Sequence, residues 1–386
     1  MSRRQTKDQN VVIIGMGDTG VLVATRLSRY FNVIGISTKP NLVSGQELGK
    51  RLADLSWWNR YYNTPLRGFK ALADVEIHHA KAECVDLATK TVLVVDQSND
   101  ETLIPFDFLV IASGTSNGFW RDDHLRSEAQ IDERLEQDAA IIRDANTVAI
   151  VGGGPCGVSC ALNIRRAYPE KMVSLYTSGD LPLPGYHDEA RQYYHRELTA
   201  EGVQIFSGHR AITEEPTPSA GTILFESGQS AVADAIIWST GNRKPHTRFL
   251  PDALLDDEGF VKTKNTLEVV GSDCLFAIGD VASTDPARSS ARNWAYGILV
   301  NNIKRKAAGK AANKYYAPPA NRWGSIVGPQ DDGLILHQDS GKTTRLSRWL
   351  VENLLLPTVV QRVIYRGVER LGAKDDPTQP LLPGTE

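Results

Sequence analysis

Val11-Val12-Ile13-Ile14-Gly15-Met16-Gly17-Asp18-Thr19-Gly20 is the stretch that decides the fold. Four β-branched apolar residues in a row read as a strand buried on both faces, and glycines follow at once. Val21, Leu22, Ala24, Leu27 and Tyr30 then recur at helical spacing, and Val33 to Ile36 reads as a second strand. That is a βαβ opening with G-x-G-x-x-G at its turn. Gly15 permits the sharp turn, Gly17 lets backbone approach a pyrophosphate, and Gly20 lets helix and sheet pack closely. An anion would then rest on unpaired N–H groups at the helix tip, with Asp18 and Thr19 beside it.

Outward from there the same unit recurs. Thr147 to Val151 reads as a strand, Gly152-Gly153-Gly154-Pro155-Cys156-Gly157 repeats the glycine pattern, and Val158 to Arg166 reads as a helix before the strand Met172 to Tyr176. Two such units imply two dinucleotides, and two dinucleotides side by side suggest electron transfer between them. A carboxylate normally stands about 20 residues past the first glycine to hold ribose hydroxyls. Here the second strand ends in Ser37-Thr38-Lys39, and its counterpart in the second unit ends in Tyr176-Thr177-Ser178, neither acidic nor basic. The pattern leaves NADH and NADPH both open.

The rest of the chain narrows the class. Its 386 residues suit two or three domains. With 43 basic and 46 acidic residues, net charge −3, no global attraction to nucleic acid is expected. Four cysteines are too few for a disulfide framework and lack the spacing of a metal site, so a reducing, cytoplasmic setting with no metal is the expectation. Cys156 and Cys160 read as small residues packing a helix on its sheet, and His78-His79 as a partly packed pair. The polar start, with Ser2 in place of glycine, points to neither a secretion signal nor myristoylation. No apolar run reaches the ~18 residues of a membrane span. No G-x-S-x-G or H-E-x-x-H string supports hydrolase chemistry. From Asp375 onward, with Pro377, Pro380 and Pro383, the tail reads as disordered.

The order of signals is now specific: a first G-x-G-x-x-G, then Ile111-Ala112-Ser113-Gly114-Thr115, a second G-x-G-x-x-G, Trp238-Ser239-Thr240-Gly241, and last Phe276-Ala277-Ile278-Gly279-Asp280. Over residues 11 to about 310 this resembles the two-dinucleotide flavoproteins of the pyridine nucleotide-disulfide oxidoreductase superfamily. Tyr168-Pro169-Glu170-Lys171, the missing redox-cysteine pair and the short chain look most like its apoptosis-inducing-factor-like branch, which includes ferroptosis suppressor protein. The resemblance implies an α/β fold of two Rossmann-like, doubly wound domains, with the NAD(P)H domain inserted in the FAD domain. Residues 9–117 plus 246–312 would bind FAD, residues 118–245 NAD(P)H, residues 313–374 would form a small C-terminal region, and residues 375–386 a tail. It implies that Asp280, after Gly279, accepts from a ribityl hydroxyl of FAD, and that Gly114 and Gly241 make close turns beside Ser113, Thr115 and Thr240. A helix starting near Ser290, capped by its hydroxyl, would aim its positive end at the flavin, with Arg292 and Asn293 beside it. The branch usually carries glutamate two positions past the last glycine of the second cluster. This chain has Ser159 there.

The activity so implied is hydride transfer from NAD(P)H to FAD, then electron transfer to a quinone-like small acceptor. No catalytic side chain is required, because the cofactors carry the chemistry. The alternatives are a reductase of a ferredoxin- or rubredoxin-type carrier, or a low-turnover NAD(P)H-binding flavoprotein acting as a sensor. The Trp57-Trp58 to Tyr61-Tyr62 cluster would line a planar acceptor site or serve as packing. Residues 345–374 join aliphatic stripes to Arg348, Arg362, Arg366 and Arg370, the composition of a peripheral membrane contact. Pro357 would break that segment in two, and packing on the protein's own body or in a homodimer is the competing reading.

Overall fold

The computed structural model describes residues 8–116, 122–212, 218–241, 243–287, 290 and 293–369. Asn10–Ile14 lies inside a seven-stranded sheet, paired parallel with Asn32–Ser37 on one side and Phe108–Ile111 on the other. Leu275–Ala277 extends the sheet beyond Phe108–Ile111, and Val75–Asp86 beyond Asn32–Ser37, both parallel. An antiparallel meander, Thr91–Asp96 and Glu101–Pro105, completes that edge. The order reverses at Asn10–Ile14, so the crevice where such sheets bind ligands lies at the end of that strand, where the glycines are.

A second sheet of four parallel strands runs Gln204–Phe206, Met172–Tyr176, Thr147–Val151, Ala235–Trp238. Its strands all fall in the chain between Phe108–Ile111 and Leu275–Ala277 of the first sheet. Val12, Leu109 and Leu275 are fully buried in one core, and Ile150, Leu162 and Leu175 in the other, as the apolar runs demand. Where the chain leaves the first unit and returns, Thr115–Ser116 pairs antiparallel with Lys244–Pro245. His246 locks this crossing: its Nδ1 meets the Ser113 carbonyl at 3.0 Å, its Nε2 meets Ser116 Oγ at 2.6 Å, and Ser113 Oγ donates to its carbonyl. Burial pushes the His246 imidazole below its ordinary value.

Two readings of the sequence need correction. The late helix begins at Ala295, not near Ser290, and Trp294 precedes it with φ +62°. Ser290 caps nothing there, because its buried hydroxyl accepts from the Gly279 N–H at 3.0 Å and fixes the Gly279-Asp280 turn instead. Pro357 does not divide the C-terminal segment. Val351–Ile364 winds as one π-helix through the proline, which gives up only its own N–H to the ladder. Among the described residues no helix is long and apolar enough to cross a membrane. The tail beyond residue 369 lies outside the described residues.

Candidate functional site

Each glycine cluster produces a bare helix tip. The helices Asp18–Leu27 and Pro155–Ala167 start from Gly17 and Gly154, and no side chain caps either. The helix Glu128–Asp144, by contrast, carries a full capping box from Ser127 and Gln130. Uncapped tips leave first-turn N–H groups for a ligand, and phosphate is the anion they suit. Gly15 at φ +99° backs onto the Ala112 carbonyl, and Gly152 at φ +117° onto that of Ser239. A β-carbon at Gly20 would overlap the Gly15 carbonyl oxygen, and one at Gly157 that of Gly152. Nothing occupies the space a β-carbon would take at Gly17 or Gly154.

Both tips open into one cavity of about 870 Å³. Its wall holds Gly15, Gly17, Asp18 and Thr19 from the first cluster, Pro155, Cys156 and Ser159 from the second, and Ser37, Lys39, Ser113, Gly114, Thr115, Gly279 and Asp280. Gly20, Gly152 and Gly157 shape the turns behind it. Gly154 is the second helix's N-cap, and Thr240 and Gly241 do not line the wall. Asn293 also stands off the wall, giving its amide N–H to Tyr316 and receiving the indole N–H of Trp323, which does line the cavity. Arg292 lies outside the described residues.

Ser37 and Lys39 explain the absent ribose carboxylate in part. Ser37 Oγ donates to the Lys39 carbonyl at 2.7 Å, while Lys39 Nζ donates to the Asp122 carbonyl at 3.0 Å and stands 3.9 Å from its carboxylate. Burial pushes the Lys39 ammonium below its ordinary value, with Asp122 pulling the other way. The acidic group at this corner therefore comes from the connection at residue 122, itself clamped by Arg126 at 2.6 and 2.8 Å. No spacing rule points to it.

Ser159 is explained by its neighbour. The helix Leu48–Ala53 lies so close that a β-carbon at Gly49 would stand 2.6 Å from Ser159 Oγ and overlap its carbonyl. Two small residues meet where a glutamate would need room. Asn163 donates to the Ser159 carbonyl at 2.9 Å and to that of Val327 at 3.0 Å, tying the spot to the C-terminal region. Cys156 is half-buried and Cys160 wholly buried, where desolvation raises its thiol well above the ordinary value. That disfavours a reactive thiolate at Cys160.

The C-terminal region closes the cavity. Trp323, Ile326, Leu336, Val360, Ile364 and Tyr365 all face it. Asp18 is the tie: it accepts from Ser44 Oγ at 2.7 Å, Gly45 N–H at 2.9 Å and the Tyr365 hydroxyl at 3.3 Å. Burial and then Asp18 hold the Tyr365 hydroxyl well above its ordinary value, so it remains a donor. The Trp57–Tyr62 cluster does not line the cavity. Trp58 is fully buried and donates to the Gln46 carbonyl at 2.9 Å, and Trp57 packs on Tyr61 and Tyr62. Among the described residues no group of three or more His, Cys, Asp or Glu is placed to hold a metal.

Residues 9–297 match the family model of the pyridine nucleotide-disulphide oxidoreductases. The chain belongs to that family. This pyridine nucleotide-disulphide oxidoreductase is 25% identical over 340 residues to the oxidoreductase ptaL of Pestalotiopsis fici, covering 83% of this chain and 89% of the relative. It is 24% identical over 321 residues to ferroptosis suppressor protein 1 of Xenopus tropicalis, covering 79% and 83%. Its fold is similar to that of a NAD-dependent persulfide reductase from A. fulgidus, with TM-score 0.64 and 19% identity. That match covers 82% of this chain, which spans only 62% of the solved one. As in its family, FAD and NAD(P)H are the cofactors, and the two uncapped, glycine-cradled helix tips fit two diphosphates.

Proposed function

We propose that this oxidoreductase passes a hydride from NAD(P)H to FAD and then electrons from reduced FAD to a quinone-like small acceptor. The observation that carries the reading is that one cavity receives both helix tips and still has an apolar wall left over. The first tip, Asp280 and the Lys39–Asp122 corner would hold FAD; Pro155, Cys156 and Ser159 would face the nicotinamide nucleotide. Trp323, Ile326, Leu336, Val360 and Ile364 then remain for a flat, largely apolar molecule, the chemistry of a quinone ring. No side-chain nucleophile is needed, since the protein's task is to align two rings and shield them.

Anaerobic mixing tests this. The purified yellow protein is expected to bleach rapidly with NADH or NADPH and to regain its colour on addition of a water-soluble quinone. A colourless protein that takes up no FAD, or no bleaching with either nucleotide, overturns the reading. Recovery with an oxidised carrier protein such as ferredoxin, and not with quinone, would replace the acceptor.

The same reading extends to where the acceptor is met. The inner side of the helix Val351–Ile364 lines the cavity through Val360 and Ile364, while Leu354, Val359 and Val363 are exposed, as is Trp349 just before it. With the exposed Arg362 on the same helix, this outer side suits a lipid interface, where a dissolved quinone would be collected. The full chain is expected to float with anionic vesicles, and Trp349→Glu with Val363→Glu to abolish flotation. Unmodified protein that stays at the bottom of the gradient removes the membrane from the proposal.

A further inference from the structure

We propose that Trp294 binds the acceptor, its indole stacking on one face of the flat, quinone-like ring. The inference rests on the activity proposed above and adds the residue that selects which oxidant the reduced flavin meets.

Trp294 stands on the cavity wall where the two halves of that reaction would join. On one side the Ala295 N–H donates to the Ser290 carbonyl at 3.1 Å, while the Ser290 hydroxyl holds the Gly279 N–H. That ties Trp294 to the Gly279-Asp280 turn, on the flavin side. On the other side its ring centre lies 5.9 Å from that of Tyr296, and the Arg26 guanidinium sits 4.2 Å over the Tyr296 ring. Arg26 Nη2 in turn donates to the carbonyl of Ile364 at 3.1 Å, so these contacts end on the helix that supplies the apolar wall.

The backbone at Trp294 is left-handed, φ 62° and ψ 17°, an unfavourable conformation for a residue with a β-carbon. Its neighbours impose it. Asn293 gives its amide N–H to the Tyr316 hydroxyl and accepts from the Trp323 indole, and Tyr316 donates to Asp285 at 2.7 Å. The Gly297 N–H closes onto the Trp294 carbonyl at 3.0 Å. Glycine would meet the same backbone demand without strain, yet the position carries the largest of all side chains.

That side chain is also left open. Trp294 is 56% exposed, although large apolar rings favour burial. Of the other Phe, Tyr and Trp residues on the wall, Tyr186 and Tyr296 are buried and Phe249 packs on the core of the first sheet. Trp323 and Tyr365 are half-buried, with their polar groups on Asn293 and Asp18. Among the described wall residues, Trp294 therefore presents the one aromatic side chain more open than covered. An indole offers a broad, electron-rich face, the complement of an electron-poor quinone ring in an offset stack.

The test uses the full flavin-loaded chain and reads its half-reactions separately: bleaching by NAD(P)H, then reoxidation by a water-soluble naphthoquinone or by ferricyanide, an oxidant with no ring to stack. Trp294→Gly removes the indole where the backbone suits glycine. Its KM for the naphthoquinone is expected to rise about 10-fold, the scale of a lost aromatic stack, with kcat moved far less. Ferricyanide reduction and flavin bleaching should change little. Trp294→Phe, with a smaller ring, should recover part of the loss and covers the case of a poorly folding glycine variant. An unchanged naphthoquinone KM in Trp294→Gly overturns the assignment. So does a loss that falls equally on ferricyanide or on bleaching, since the indole would then serve the flavin or the nicotinamide. A parent protein that never bleaches, or that bleaches and is reoxidised by no quinone, overturns the proposed activity itself and the role of Trp294 with it.

Discussion

Gly157→Val is expected to leave the protein yellow and to weaken its response to NAD(P)H by a hundredfold or more. The β-carbon alone would overlap the Gly152 carbonyl oxygen and stand 2.7 Å from Ser239 Oγ, which is itself held by the Val151 and Gly152 carbonyls at 3.0 and 2.9 Å. Backbone and a pinned hydroxyl cannot yield as a flexible side-chain end would, so the helix Pro155–Ala167 must move off its strand. Its first-turn N–H groups then lose their aim at the diphosphate. Two charge-assisted hydrogen bonds at about 1.5–3 kcal/mol each set the loss at about 3–6 kcal/mol, or about two to four decades in affinity. The first helix tip has its own turn, Gly15 to Gly20, and should keep FAD. Gly20→Val is the mirror experiment: its β-carbon meets the Gly15 carbonyl, and the protein should purify colourless. Flavin absorbance after gel filtration and nucleotide titration of the visible spectrum read both variants. Undiminished nucleotide affinity in Gly157→Val would exclude this turn from the site.

That contrast also marks what the sequence makes visible. Both glycine turns are legible because each glycine answers a steric demand made by backbone a few residues away, and such demands leave fixed spacing. The buried strands are legible for the same local reason. What the pattern hides are contacts closed over long stretches of chain. Asp122 reaches Lys39 across 83 residues, and Tyr365 reaches Asp18 across 347. Ser290 was readable as a cap only in ignorance of its partner, the Gly279 N–H. Ser159 reads as a loss until Gly49 is seen against it. Pro357 misleads because the helix Val351–Ile364 runs on through it in spite of the lost N–H.

Arg51 makes the second large prediction. It extends from the short helix Leu48–Ala53 to Asp138 of the helix Glu128–Asp144, Nη2 to Oδ2 at 3.3 Å, with side-chain exposures of 4% and 2%. Arg134 reaches the other carboxylate oxygen at 3.1 Å. Burial nevertheless dominates, and the Asp138 carboxyl lies above its ordinary value despite both guanidinium groups. Intact, such a pair contributes little net stability; broken, it leaves a charge with no water and too little compensation. Arg51→Ala is therefore expected to cost about 3–5 kcal/mol, and Arg51→Met with Asp138→Leu to recover most of it. The sign with pH is fixed by the direction of the shift. A carboxyl raised in the folded state destabilises most when ionised, above its folded value, and the penalty shrinks as acid protonates it toward the unfolded value near 4. The gap in melting temperature between Arg51→Ala and the parent should narrow between pH 7 and pH 5. A gap that is constant or widens would mean that Asp138 is not the source. Because this pair anchors the helix that carries Gly49 against Ser159, Arg51→Ala should also slow flavin bleaching by NAD(P)H, while the Arg51→Met, Asp138→Leu protein, with the helix seated again, should not.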